Sequence, residues 1–132
     1  MKALLADAGP LYALVDPDDG LHSRAYAEWH RLSAEGFQLT VSWTTVLETH
    51  TLILRRLGQR SAHAWLEHAL ESLGLLNPRR EHYQEAAQRI ELYPDQSITL
   101  FDGVLASLSS QLGIPVWTFD HHFDVMRVEV WR

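Results

Sequence analysis

Four carboxylates in this chain stand where backbone elements should begin or end: Asp7, Glu48, Asp102 and Asp120. Each one alone reads as a helix cap, since an acid near a helix N-terminus gains about 0.3–1 kcal/mol from the dipole. Asp102 is harder to dismiss. Leu100, Phe101, Val104 and Leu105 surround it in sequence, and a charge in apolar surroundings is costly unless paired or bound to a metal. If the four converge, they form a pocket negative enough to need a cation. Oxygen-only ligation suits Mg²⁺ or Mn²⁺, which keep waters and share the oxygens of a substrate phosphate. The chemistry such a pocket supports is in-line hydrolysis of a phosphodiester.

Convergence depends on the elements that carry these residues. Between Lys2 and Asp7 stand four apolar residues in a row, the pattern of a central strand covered on both faces. Ala8-Gly9-Pro10 then starts a helix, with Asp7 placed to accept from its first amides. Asp16 to Gly20 is a turn, a helix runs from about Leu21 to Ala34, and Gly36 ends it. Phe37 to Val41 is a strand, Ser42-Trp43-Thr44 caps the next helix, and Glu48 lies in that helix's first turns. Ser61 opens a helix that Gly74 stops, Leu75-Leu76 makes a short edge strand, and Pro78 begins a helix to about Leu92. Thr99 to Leu112 is the most apolar helix and carries Asp102. Ile114 to Phe119 is a strand delivering Asp120, Asp120 to Met126 a short helix, and Val128 to Trp131 a last strand. Strands separated by helices indicate parallel α/β layers. Right-handed crossovers put the strand exits on one edge, so Asp7 and Asp120 should meet there.

Composition narrows the class. At 132 residues, 46% hydrophobic and 21% charged, residues 1–132 are expected to form one domain with a substantial core. No cysteine is present, which excludes a disulfide framework, a thiolate metal site and a thiol nucleophile. No run approaches the roughly 18 apolar residues of a membrane helix, and the N-terminal apolar run is too short for a signal peptide. A cytoplasmic protein without membrane association is the expectation. The net charge of −6 repels polyanions at long range, so nucleic acid would have to be met by metal ions or a local basic patch.

Four segments carry a resemblance. Leu5-Ala6-Asp7-Ala8-Gly9-Pro10-Leu11-Tyr12-Ala13-Leu14, Thr44-Thr45-Val46-Leu47-Glu48, Ser97-Ile98-Thr99-Leu100-Phe101-Asp102 and Val116-Trp117-Thr118-Phe119-Asp120-His121-His122-Phe123 resemble, in order and spacing, the PIN domain family and within it the VapC-type toxin ribonucleases. The resemblance spans the chain. It implies a three-layer α/β/α PIN-like domain with a central, mainly parallel sheet. It also implies a metal-dependent endoribonuclease acting on RNA with Mg²⁺ or Mn²⁺, held inactive by a cognate antitoxin protein and working as a homodimer. The family's acids fall on Asp7, Glu48, Asp102 and Asp120. Ser97, Thr99 and Thr118 match hydroxyl positions that would support them, and Asp124 would be an outer metal ligand. The family often has Ser or Thr just after its first aspartate, where this chain has Ala8 and Gly9; backbone amides would have to serve instead.

Other residues admit blander roles. Asp120-His121-His122 invites an Asp-His-His phosphoesterase reading, but that fold is larger and needs further acidic motifs. His122 orients a carboxylate, contacts substrate or is simply an exposed loop histidine. Arg55, Arg56, Arg60, Arg79 and Arg80 are the basic clusters, read first as solvated helix ends and otherwise as phosphate contacts. Of five tryptophans, Trp43, Trp117 and Trp131 are expected in or around the core, and Trp29 and Trp65 on core-packed helix faces. Trp65 with Leu66, Ala69 and Leu73 could also line a dimer or antitoxin groove. Two rival classes remain open. A response-regulator receiver also has an acidic pocket but needs a late-strand lysine, and Lys2 is the only lysine. A non-catalytic PIN-like module would bind RNA or protein without cutting, against which the intact acid set speaks.

Overall fold

The computed structural model describes residues 2–132. Its order is β1 (Lys2–Ala6), α1 (Ala8–Val15), α2 (His22–Ala34), β2 (Phe37–Ser42), α3 (Trp43–Leu57), α4 (Gln59–Ser72), β3 (Gly74–Leu76), α5 (Arg80–Glu91), α6 (Leu100–Leu112), β4 (Val116–Trp117) and α7 (His122–Val125). The four strands make one sheet in the order β3-β2-β1-β4, and every pairing in it is parallel. β1 is flanked by β2, with Leu4 opposite Leu39, and by β4, with Leu5 opposite Val116.

Strand alternation divides the core in two. Leu4, Ala6 and Trp117 point to one face and pack with Leu11 and Tyr12 of α1, Leu32 of α2, Val46 and Ile53 of α3 and Trp65 of α4. Leu5 and Val116 point to the other and pack with Ala86 of α5, Val104, Leu105 and Leu108 of α6 and Phe123 of α7. Both faces are covered, so β1 must be apolar at every position past its exposed start, and Leu4, Leu5 and Ala6 are fully buried. The result is a three-layer α/β/α arrangement around an all-parallel sheet.

Local chemistry sets the element ends. Ser42 caps α3 by accepting from the Thr44 amide at 3.3 Å. Gly58 (φ 96°) separates α3 from α4 and Gly113 (φ 67°) closes α6, both in the positive-φ region that glycine enters without a Cβ clash. Trp117 donates its indole N–H to Glu28 at 2.8 Å, and Trp131 donates to Glu35 at 3.0 Å. These two bonds tie α2 to β4 and to the C-terminal segment.

Some boundaries differ from the sequence reading. Pro78 does not start α5: Arg79 is its N-cap, and the His82 imidazole accepts from the Arg79 amide at 2.8 Å. α4 begins at Gln59 rather than Ser61. β4 is two residues long instead of running from Ile114 to Phe119, and the expected strand Val128–Trp131 reduces to a bridge between Val116 and Val130. At its C-terminal end β4 stops because the Thr118 hydroxyl takes the Asp120 amide at 2.9 Å and the chain bends at Phe119. Trp43 and Trp29 are half-buried against the core, and Trp65, Trp117 and Trp131 are buried.

Candidate active site

β2 and β3 lie on one side of β1 and β4 on the other, so the connection reverses direction at the C-terminal ends of β1 and β4. Open parallel sheets form a crevice at such a switch point. Asp7 is the first residue past β1. Its Oδ1 accepts from the Ala8 amide at 2.8 Å, and its Oδ2 accepts from the Thr118 hydroxyl at 2.7 Å. At the position after Asp7 this chain thus offers a backbone amide, not a hydroxyl, as the donor to its carboxylate. Thr118 holds two acids at once, since its Oγ1 also accepts from the Asp120 amide.

Asp120 and Asp102 are linked through the start of α7. Asp120 Oδ1 accepts from the His122 amide at 2.9 Å, and the His122 Nδ1 lies 3.2 Å from that oxygen and 3.9 Å from Asp102 Oδ2. Asp102 sits at the third position of α6 in a reciprocal cap: its amide donates to Thr99 Oγ1 at 3.2 Å, and its Oδ2 accepts from the Thr99 amide at 3.3 Å. Glu48 comes from the second turn of α3 and is half-buried. Asp7, Glu48, Asp102 and Asp120 together line one open cleft of about 410 Å³, with Ala8, Gly9 and His121 at its wall.

The electrostatics follow from burial and crowding. Asp7 is 8% exposed, and desolvation pushes its carboxyl from 3.8 up to about 6; the bonds from Thr118 and Ala8 pull it down, while the charges of Asp102 and Asp120 push it up. Glu48 rises from 4.5 to about 7, first by desolvation and then by repulsion from the three aspartates. Asp102 is raised by burial and by Asp120, with the Thr99 bonds and His122 opposing. Among the described residues no Lys or Arg is ion-paired with any of the four. Carboxylates raised by burial and by one another's charge, with imidazoles but no Lys or Arg beside them, suit a divalent cation. Each aspartate retains lone pairs beyond its one or two hydrogen bonds.

The four acids expected from the sequence therefore line one cleft, with Thr118 hydrogen-bonded to Asp7 and Thr99 to Asp102; the described residues whose potential ligand atoms all lie within 4.8 Å of one another are Asp120, His121 and His122. Two other candidates lie elsewhere. Ser97 is exposed in the loop before α6 and does not line the cleft. Asp124, on α7, lines the adjoining cavity instead of the acid cleft and holds Arg132 through both oxygens, at 2.6 and 2.8 Å.

A family profile decides the kinship, because the PIN domain matches residues 4–129. The chain belongs to the PIN domain family. Solved structures superpose on it over nearly their whole length. VapC20 from Mycobacterium tuberculosis, described as a Sarcin-Ricin loop cleaving toxin, aligns with TM-score 0.84 at 22% identity over 98% of both chains. FitAcB from Neisseria gonorrhoeae aligns with TM-score 0.74 at 20% identity over 98% of this chain and 96% of that one. VapBC2 from Rickettsia felis, bound to a DNA fragment from its promoter, gives 0.74 at 13% identity over 98% and 97%. At these identities the likeness is one of fold. No curated protein sequence matches the chain significantly.

The PIN fold also gathers residues that sequence reasoning passes over. Arg24, Arg31 and Arg132 line a second cavity that shares Phe119, Asp120 and His121 with the acid cleft. The basic runs of the sequence favour Arg55, Arg56 and Arg60 instead, of which Arg56 lies over the Tyr12 ring at 4.9 Å. The spacing of Arg24, Glu28, Arg31 and Glu35 at three and four residues is the signal that could have found the second cavity.

Proposed function

We propose that this PIN domain is a divalent-metal-dependent endoribonuclease and the toxin of a toxin-antitoxin pair. The observation that carries the reading is the convergence of Asp7, Glu48, Asp102 and Asp120 on one cleft at the sheet's switch point, with no Lys or Arg among the described residues ion-paired to them. In this reading Asp7, Asp102, Asp120 and Glu48 hold Mg²⁺ or Mn²⁺. The bound cation supplies water activation and charge neutralisation at the scissile phosphate. Thr118 fixes the rotation of the Asp7 carboxylate and the backbone at Asp120, and Thr99 fixes Asp102. Hydrolysis would proceed by in-line attack of water on phosphorus, the P–O bond to the leaving ribose oxygen breaking as the water gives up a proton to solvent and the leaving oxygen takes one up.

The structural neighbours support a toxin role, since they include VapC20, described as a cleaving toxin, and the VapBC and FitAB assemblies. The expected partner is a cognate antitoxin that covers the acid cleft, with the toxin itself as a homodimer; light scattering of the chain with and without antitoxin reads both. No helix among the described residues is long and apolar enough to cross a membrane. The cytoplasm is where a chain of this role would meet its RNA substrate and its antitoxin.

The test is cleavage of RNA with Mg²⁺ or Mn²⁺ by the native chain and by Asp7→Asn, Glu48→Gln, Asp102→Asn and Asp120→Asn. Loss on the order of 10²-fold or more is expected in each aspartate variant, and full activity in all four would falsify the reading. Calorimetric titration with Mn²⁺ separates the remaining alternative: a non-catalytic PIN module with a degenerate site takes up no Mn²⁺.

A further inference from the structure

Beside the acid cleft lies a cavity of about 350 Å³ that reaches Thr118 and Asp120 from the α2 side. Its lining contains two guanidinium–aromatic pairs. The guanidinium of Arg24 lies over the Phe119 ring at 4.4 Å, and that of Arg31 lies over the Trp131 ring at 4.2 Å. Both arginine side chains are still about half exposed, at 55% and 51%, so each covers an aromatic ring and stays accessible to a ligand. Neither is a loose charge. Arg24 is held by Glu28 at 2.8 Å and Arg31 by Glu35 at 3.4 Å. Both glutamates are in turn fixed by the indole N–H groups of Trp117 and Trp131.

This arrangement is poor for phosphate and good for a base. Each of the two charges is already partly neutralised by a carboxylate at its Nε, and Arg132 at the rim is met by Asp124, so the net attraction for an incoming phosphate is weakened. A flat, anchored guanidinium offers the kind of face on which unstacked nucleobases pack, and rigidity here costs little entropy on binding. The cavity is of the size of one nucleotide, and it is continuous with Asp120, one of the four acids of the cleft.

We infer that the Arg24–Phe119 and Arg31–Trp131 pairs form a nucleobase subsite, which seats a single-stranded base next to the phosphodiester placed at the acid cleft. The inference rests on the nuclease reading for the position of that phosphate, but it concerns binding and can fail or stand separately. It also explains how a chain of net charge −6 holds a polyanion: stacking supplies affinity where long-range attraction is missing.

Binding of a short, mixed-sequence oligoribonucleotide is measured by fluorescence anisotropy with Ca²⁺ in place of Mg²⁺ or Mn²⁺, for the native chain and for Arg24→Lys and Arg31→Lys. The lysine variants keep the charge opposite Glu28 and Glu35 but lose the plane, and thermal melting checks that they fold. The expected result is affinity lowered on the order of 10-fold in each variant, with the salt dependence unchanged because no phosphate contact is lost. Adenosine 5′-monophosphate should compete with the oligonucleotide, and ribose 5-phosphate should not. Native affinity in both lysine variants, a reduced salt dependence, equal competition by ribose 5-phosphate, or no RNA binding by the native chain each overturns the subsite. Cleavage of the same RNA with Mn²⁺ keeps the two readings apart. A chain that binds as described and leaves RNA intact loses the nuclease reading alone; one that cuts RNA with the same KM in both variants loses the subsite alone.

Discussion

Acidification should stabilise the metal-free protein, opposite to the usual behaviour of carboxylate-rich domains, and Asp7 allows the size to be worked out. Its carboxyl titrates near 3.8 when unfolded and at about 6 when folded. A folded-state value above the unfolded one gives stability that is fully present below about pH 4 and is lost as the pH rises through about 6. At about 1.4 kcal/mol per unit, the shift costs the folded state about 3 kcal/mol above pH 7. Roughly half of that is relieved by about pH 5, so the native chain gains on the order of 1.5 kcal/mol from Asp7 between pH 8 and 5. For a chain of this length that is a rise in Tm of about 5 °C. Glu48 adds in the same direction, through its own rise from 4.5 to about 7, though water reaches it and screens its share. Melting is followed by circular dichroism in chelator across this pH range, for the native chain and for Asp7→Asn. The variant removes the titration, so its curve should fall less steeply with rising pH, and the two should differ most at about pH 8. Parallel curves would mean that Asp7 carries no raised pKa, and with it a crowded, desolvated acid cleft would be refuted.

Four more outcomes follow from the same geometry. Adding Mn²⁺ or Mg²⁺ should raise Tm more at about pH 8 than at about pH 5, because protons compete for the same oxygens; an equal rise at both would place the metal elsewhere. Thr118→Val should weaken Mn²⁺ binding about 10- to 100-fold by calorimetry, since Asp7 and the Asp120 amide both lose their partner. Gly103→Ala should destabilise by about 1–3 kcal/mol in urea melts, because a Cβ there would stand 2.9 Å from Ile90 Cγ2 and 3.1 Å from the Ala86 carbonyl. Removing the indole N–H by Trp117→Phe should cost about 1–3 kcal/mol in the same melts, leaving the Glu28 oxygen short of a donor.

Much of this was legible in the chain itself, and the physical reason is local. A continuous apolar run such as Ala3 to Ala6 fits a strand covered on both faces, and Leu4, Leu5 and Ala6 are buried accordingly. Caps declare themselves through short-range hydrogen bonds, as with Ser42. An acid that follows a parallel strand lands at the sheet edge whatever else the chain does, which is why Asp7 and Asp120 could be placed in advance. Only the tertiary structure decided what depends on partners distant in sequence. Thr118 bonds Asp7 across 111 positions and takes the Asp120 amide, so the strand read from Ile114 to Phe119 already stops at Trp117. Asp124 holds Arg132 instead of facing the acid cleft. Arg24 and Arg31 stand beside that cleft because Phe119 and Trp131 lie under them and because Trp117 and Trp131 reach back 89 and 96 positions to Glu28 in α2 and Glu35 at its C-cap, pairings that no local pattern encodes.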